Sequence, residues 1–292
     1  MVMNNSSAEK FFFESFSTLK ETSEFLVSKG NVAMISAGST DVLVHTQKRG
    51  FPNYIVSLSQ IQDLNYVNVD KNEVRIGSLT TLTEISESQI IIEKFPALSK
   101  AAGQVGSPQI RNRATLAGNL CNASPAADTA PALLVYDAKL KIFNQGNERI
   151  VELSEFFEGP GKTILENGDI VTEIILPIQK KSVSSFVKIG KRKALEISIM
   201  SMAMSVEIEN NIIKSAKVAC GSVAPKPVLI NKTAKSLVGL EVKDELDLVN
   251  AIETIKEEVT PIDDIRGTAN YRLHMLGVTL KRMVLELVRS EA

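Results

Sequence analysis

Apolar residues along the 292-residue chain change their spacing several times, and each change marks an expected element. Thr18-Leu19-Lys20-Glu21 reads as a capping box, with Leu19, Phe25 and Leu26 at helical spacing ahead of Gly30. Val32 to Ile35 is a short apolar run that predicts a buried strand. It ends in Ala37-Gly38-Ser39-Thr40-Asp41, after which Val42-Leu43-Val44 resumes apolar character. Tyr54 to Leu58, Val74 to Ile76, Leu133 to Phe143 and Ile170 to Leu176 read as further strands. Leu82 to Ile92 reads as a helix, and Phe95-Pro96 opens another that reaches about Val105. Near the middle of the second half the period becomes two. Met200, Met202, Met204, Val206 and Ile208 are apolar, while Ser201, Ala203, Ser205 and Glu207 are small or polar. That alternation predicts a strand with one buried face, and the methionines read as core packing. Asn210-Asn211 fits a tight hairpin because Asn tolerates positive φ, and Ile212 to Cys220 returns. Two amphipathic stripes close the chain: Leu246, Val249, Ile252, Ile255 and Val259, then Leu273, Leu276, Leu280, Val284 and Leu287.

Helices and strands come mixed, without regular alternation, which predicts an α+β fold. The lysines and serines of Gln179 to Ser185 read as a linker before a small C-terminal α+β unit, an antiparallel sheet with helices. Apolar residues make up 44% and charged residues 23%, an ordinary balance for a globular protein. A formal net charge of −1 offers nothing to nucleic acid or to an anionic membrane. No apolar stretch approaches the roughly 20 residues of a membrane span, and the N-terminus has no signal-peptide core, so a cytoplasmic location is expected. Cys121 and Cys220 are too few for a cluster, and Cys121 reads as a small packing residue. His45 and His274 lie far apart, so histidine metal sites and Ser-His-Asp chemistry are poor fits.

Two segments carry candidate chemistry. Ser107 to Asp128 is long, polar and rich in small residues, with Thr115, Asn119, Asn122, Ser124 and Asp128 as hydrogen-bonding side chains around Gly118. Small residues let backbone approach a ligand, and such long irregular stretches are rare without a role. The same composition also fits a surface loop capped by Asn and Ser. The turn at Ala37 to Asp41 follows a strand, an arrangement that exposes several N–H groups at one place and suits a pyrophosphate. A plain turn ahead of a helix fits it as well. Two tempting motifs fail: Gly161-Lys162-Thr163 has Phe156 where a phosphate loop needs glycine, and no Gly-x-Gly-x-x-Gly follows a strand.

Taken together, these segments resemble the flavoprotein (medium) subunit of the molybdenum hydroxylases, the family of xanthine dehydrogenase and aerobic carbon monoxide dehydrogenase. That family's first motif reads Ala-Gly-Gly-Thr-Asp and its second Thr-Ile-Gly-Gly-Asn, preceded by Ser-Pro-Gln-Ile-Arg-Asn. Here Ser107 to Asn112 reproduces the lead-in, and Asn122 to Asp128 reproduces its Asn-Ala-Ser-Pro-Ala-Ala-Asp. Lys188 to Ile197, including Lys193 and Ala194, is similar to its Lys-x-Gly-Arg-Arg-Lys-Ala-x-Asp-Ile. Gly221 to Pro227 and Tyr271-Arg272-Leu273-His274 match its C-terminal domain, and Gly159 to Lys162 resembles bacterial xanthine-dehydrogenase-like members.

The resemblance implies an FAD-binding domain of the vanillyl-alcohol-oxidase-like (PCMH) type over 1–178, with subdomains of about 1–54 and 55–178. A C-terminal flavoprotein domain over 183–290 would follow. It implies that Met34, Ile35, Ser36, Ala37, Gly38, Ser39, Thr40 and Asp41 wrap the FAD pyrophosphate, and that Thr115, Leu116, Ala117, Gly118 and Asn119 complete the cradle. Ser124 would add a contact, Asp128 and Lys188 would bracket the flavin or its ribityl chain, and Val171 would give a backbone contact. No residue of this chain would be catalytic and none would bind metal. The implied partners are a small subunit with [2Fe–2S] clusters and a large subunit with the molybdenum cofactor, assembled as a dimer of heterotrimers. NAD is the implied acceptor and a purine or other N-heterocycle the implied substrate. The residues also leave open a free-standing FAD-dependent oxidoreductase. Two departures stand out: Ser39 and Ala117 each replace a motif glycine, at a cost of about 1 kcal/mol if the position needs positive φ.

Overall fold

The computed structural model describes residues 11–42, 44, 52–179, 181–192 and 195–290; Leu43, His45, Lys193 and Ala194 lie outside them, as do residues 1–10. Near the N-terminus, β1 (Phe12–Ser15), β2 (Ala33–Ser36) and β3 (Tyr54–Ser57) form a parallel sheet in the order β1-β3-β2. Helix α1 (Leu19–Lys29) connects the first two. Thr18 caps it by accepting from the Glu21 N–H, and Gly30 ends it at φ 61°. Leu26, Val56, Leu58, Ile61 and Leu64 make the small core of this layer. Strand β2 is an edge strand, so its end runs freely into residues 37–41.

A five-stranded antiparallel sheet follows. Its strands are β4 (Val67–Asp70), β5 (Glu73–Gly77), β6 (Lys139–Asn144) and β7 (Asn147–Glu152). After the short hairpin β8 (Phe157–Gly159) and β9 (Lys162–Thr163) comes β10 (Ile170–Pro177), which takes the middle of the order β4-β5-β10-β6-β7. The excursion between β5 and β6 holds α2 (Leu82–Glu87), α3 (Gln89–Lys94), α4 (Pro96–Gly103), α5 (Pro108–Arg111), α6 (Leu116–Cys121) and α7 (Thr129–Leu134). Their apolar faces and β10 build the main core around Ile76, Leu82, Phe95, Leu116, Leu133 and Ile174. The expected helix over Leu82 to Ile92 is split, because Ser88 turns extended (ψ 119°) and ends α2 as it starts α3. The expected strand over Leu133 to Phe143 begins only at Lys139. Its first part belongs to α7 and to a turn through Asp137 at φ 53°. A continuous apolar run fits a buried helix as well as a strand, and Pro131 sits in the first turn, where no N–H is lost.

After the short α8 (Leu153–Phe156) and β10, the chain builds a second antiparallel sheet in the order β11 (Ser182–Ile189), β12 (Met200–Glu209), β13 (Ile212–Gly221) and β14 (Val228–Leu229). The Asn210-Asn211 turn has both residues at positive φ, 52° and 60°, as expected. Residues 182–185, expected as linker, form the start of β11. As an edge strand it tolerates the serines that read as linker. Helices α9 (Asn231–Leu237), α10 (Val249–Glu257) and α11 (Ala269–Ser290) close the chain. The methionines of β12 pack with Leu276, Leu280 and Val284, the expected core role. The other face of β12 is buried too: Ser201 and Ser205 are enclosed, and Ala203 joins the main core with Ala219 and Phe186. Small residues alternate there because α7 lies across the sheet. The stripe Leu246, Val249, Ile252, Ile255, Val259 is not a single buried face, since Leu246 is 74% and Val249 54% exposed. Residues 245–248 form a 3-10 turn capped by Asp244, which rotates Leu246 and Val249 outward and buries Leu248 and Ala251 in their place, while Ile255 and Val259 stay buried. Among the described residues no helix is long and apolar enough to cross a membrane.

Candidate functional site

The two small-residue segments meet. A Cβ on Gly38 would lie 1.9 Å from the Arg113 carbonyl oxygen and 3.0 Å from the Ala114 Cα, so only glycine lets the backbones touch there. Asn122 donates from Nδ2 to Asp41 Oδ2 at 3.2 Å, closing the contact across 81 positions of sequence. Met34 and Ile35 lie half-buried in β2, Ser36 is buried at its end, and residues 37–41 form the partly exposed loop beyond. Among the described residues none accepts a hydrogen bond from the N–H groups of Ala37, Gly38, Ser39 or Thr40. A loop of unused donors beside an edge strand is what a pyrophosphate requires, and Asp41 is held aside by Asn122.

Ser39 has φ 62°, the left-handed region that favours glycine. The cost of its Cβ is offset by its hydroxyl, which lies 2.5 Å from that of Ser36. Either hydroxyl of this pair can be the donor. Ala117 is different: it lies inside α6 with helical backbone and packs into the main core. The cost foreseen if Ala117 needed positive φ does not arise, because its backbone is helical, where alanine is a better former than glycine.

The second segment is already satisfied internally. Thr115 caps α6 by accepting from the Gly118 N–H at 3.0 Å, while the Leu116 N–H donates to Thr80 O at 3.1 Å and the Asn119 N–H to Thr115 O at 3.0 Å. The N–H groups at 116, 118 and 119 are therefore engaged within the protein. A Cβ on Gly118 would meet Thr115 Oγ1 at 2.8 Å, so this glycine serves the cap. Asn119 Oδ1 accepts from Thr129 Oγ1 at 2.6 Å, and Ser124 Oγ accepts from the Ala126 N–H at 3.2 Å. Both side chains shape the loop. Val171 has its side chain in the main core, with its backbone beside the bulge where β10 shifts register on β6. Cys121 is exposed, so the packing role expected for it does not hold.

Asp128 and Lys188 lie 60 positions apart and form one buried ion pair: Nζ to Oδ2 is 2.6 Å, with side chains 5% and 10% exposed respectively. Lys188 also donates to the Gln104 carbonyl at 3.0 Å, and Ser198 donates to the other Asp128 oxygen. Burial pushes the Asp128 carboxyl up, against the lowering effect of the Lys188 ammonium and the two hydrogen bonds. Gln104 and Ser198 were invisible as site residues in the sequence. The first contributes only a backbone atom, and the second lies in the loop just ahead of β12, whose neighbours are fixed by folding.

The fold and site define an α+β protein in which an edge-strand loop meets a wall of short helices, with N–H groups at 37–40 that no described residue accepts from. The chain belongs to the family of FAD-binding subunits of the molybdenum hydroxylases. A family model described as the FAD binding domain in molybdopterin dehydrogenase matches residues 9–179, and one described as the CO dehydrogenase flavoprotein C-terminal domain matches residues 185–287. The chain is 32% identical over 270 residues to the xanthine dehydrogenase FAD-binding subunit of Escherichia coli O157:H7, covering 91% of this chain and 92% of that one. It is 30% identical over 285 residues to the nicotinate dehydrogenase FAD-subunit of Eubacterium barkeri, covering 94% and 96%. Reconstituted CO dehydrogenase from Oligotropha carboxidovorans has the same fold, with a TM-score of 0.91 at 24% identity over 97% of this chain and 99% of that one. The chain is thus an oxidoreductase subunit whose cofactor is FAD.

Proposed function

We propose that this chain is the electron relay of a heterotrimeric hydroxylase, placing one FAD between a small [2Fe–2S] subunit and NAD. A large subunit would hold the molybdenum cofactor and select the substrate, a purine or other N-heterocycle. The assembly would be a cytoplasmic dimer of heterotrimers. The observation that supports this best is the contact of the two separated segments at Gly38 and Asp41 beside a loop of unused N–H donors. Bound FAD would supply the conversion of single electrons into an electron pair.

In this reading the chain divides into an FAD-binding domain over 1–178 and a C-terminal domain over 183–290. The N–H groups at 37–40 hold the pyrophosphate oxygens, and the Ser39 hydroxyl adds a donor. Residues 115–119 hold the opposite wall by shape, through the contact of Gly38 with Arg113 and Ala114. Lys188, held by its ion pair with Asp128, places its Nζ at the flavin end, and Ser124 and Val171 line the path between. None of these residues moves a proton, as suits a relay rather than a substrate site.

The test is purification at native expression with its neighbouring gene products. A yellow protein co-purifying with iron and molybdenum, whose flavin is reduced by substrate and reoxidised by NAD, is the expected result. A yellow protein that is complete without partners would overturn the relay reading, and a colourless one would overturn the cofactor assignment.

A further inference from the structure

The Asp128–Lys188 pair is held from a distance by a second cluster in the C-terminal part of the chain. Ser198, fully buried, donates its hydroxyl to Asp128, and its carbonyl accepts from Arg266 Nη1 at 3.3 Å. Arg266 Nε in turn donates to Asp264 Oδ2 at 2.9 Å. The other oxygen of Asp264 accepts from Arg272 Nη2 at 2.6 Å. Arg272, buried at the start of α11, donates through Nη1 to the Ser222 carbonyl at 2.6 Å, and the Ser222 N–H donates to the Pro125 carbonyl at 2.8 Å. Both arms that leave Asp264 therefore end on the same segment: one on Asp128, the other on Pro125 three positions before it.

From this geometry we infer that Asp264 is a positioning residue that sets the Asp128–Lys188 pair through Arg266 and Arg272. A single carboxylate anchors two arginines, and each arginine fixes the backbone of a residue touching 125–128. With asparagine in its place, the one remaining acceptor oxygen cannot serve both arginines. Either the buried Arg272 loses one of its two hydrogen-bond partners, or Arg266 loses its anchor and with it the hold on the Ser198 carbonyl. The Ser198 hydroxyl turns with it, and Lys188 Nζ shifts against whatever lies beside it. The inference rests on the reading that Asp128 and Lys188 border the bound flavin.

The experiment uses the full chain loaded with FAD. Asp264→Asn keeps the shape and removes the charge, and Arg266→Gln, on a partly exposed side chain, breaks one arm alone. Three quantities are read for each: FAD affinity from quenching of free FAD fluorescence, the shape and position of the flavin visible bands, and thermal stability. Asp264→Asn is expected to weaken FAD binding about fivefold or more and to shift the visible bands. Arg266→Gln should do the same to a smaller degree, and Arg266→Lys should recover part of the effect. Glu245→Gln, which breaks the exposed Lys281–Glu245 pair elsewhere in the same region, serves as the control for stability. Lowered stability with wild-type affinity and bands in both Asp264→Asn and Arg266→Gln, while Lys188→Met alters both, would overturn the inference alone. Equal shifts in Glu245→Gln would overturn it by exposing a general loosening. Wild-type affinity and bands in Lys188→Met would overturn the reading of the pair, and this inference with it.

Discussion

The two halves of the proposed cradle are built in opposite ways. Residues 37–41 run off an edge strand, have N–H groups at 37–40 that no described residue accepts from, and hold Ser39 in a left-handed backbone. Residues 107–128 are threaded through short capped helices, with Leu116, Ala117 and Leu120 in the core and most polar groups already bonded to one another. One half offers donors and the other offers a rigid wall. The same departure from the family, a side chain in place of glycine, therefore has opposite consequences in the two places. In the wall alanine helps; in the loop serine costs, and the cost is offset only by its bond to Ser36.

Breaking the buried Asp128–Lys188 pair should have the largest effect. Lys188→Met leaves the Asp128 charge buried without its partner, which costs about 3–5 kcal/mol of stability in denaturant unfolding. Asp128→Asn combined with Lys188→Met should recover a large part of that loss, and a double variant no more stable than the single would contradict the pairing. Gly38→Ala comes next. Its Cβ cannot fit against the Arg113 carbonyl, so the halves must separate, at a cost of about 3 kcal/mol with loss of FAD retention. Full FAD occupancy after gel filtration of this variant would show that the halves need not touch.

Smaller effects sharpen the contrast. Ser39→Gly should be more stable than Ser39→Ala by about 1 kcal/mol, since both lose the hydroxyl and only alanine keeps the strain. Ala117→Gly should instead lose about 1 kcal/mol with FAD affinity intact. Paired urea titrations of these three variants measure both signs, and a destabilising Ser39→Gly relative to Ser39→Ala would remove the argument. The smallest effect lies in pH. Burial opposes the Asp264 charge, but hydrogen bonds from Arg266 and Arg272 outweigh it and hold the carboxyl far below its usual value. A carboxylate lowered on folding adds stability that is complete above its unfolded pKa of about 4 and is lost as pH falls through the folded value. Asp264→Asn should therefore show a flatter acid limb below about pH 4, read by circular dichroism during acid titration.

Much of this was legible in the chain itself. The β12–β13 hairpin follows from strict alternation and two asparagines, and α11 from its apolar stripe, because local pattern and burial agree there. The cradle segments were legible from small residues and from family motifs. Less legible were elements whose pattern served two environments at once. The run from Leu133 reads as strand because Leu133 to Tyr136 are all buried and show no one-sided pattern. Residues 182–185 read as linker because an edge strand needs few apolar residues. The outward turn of Leu246 and Val249 follows from a 3-10 turn whose rotation no apolar count reveals.

The sequence by itself determined the family, the cofactor class and the positions of the two small-residue segments, since these depend on which residue types stand in which order. Only the tertiary structure decided how those residues divide the work. It placed Gly38 on the Arg113 carbonyl, put Ser39 in strained backbone and Ala117 in relaxed helix, and joined Asp128 to Lys188 and, through Ser198, to Asp264. The reason is physical: backbone strain, burial and charge pairing depend on neighbours distant in the chain, and folding alone brings those neighbours within a few ångströms.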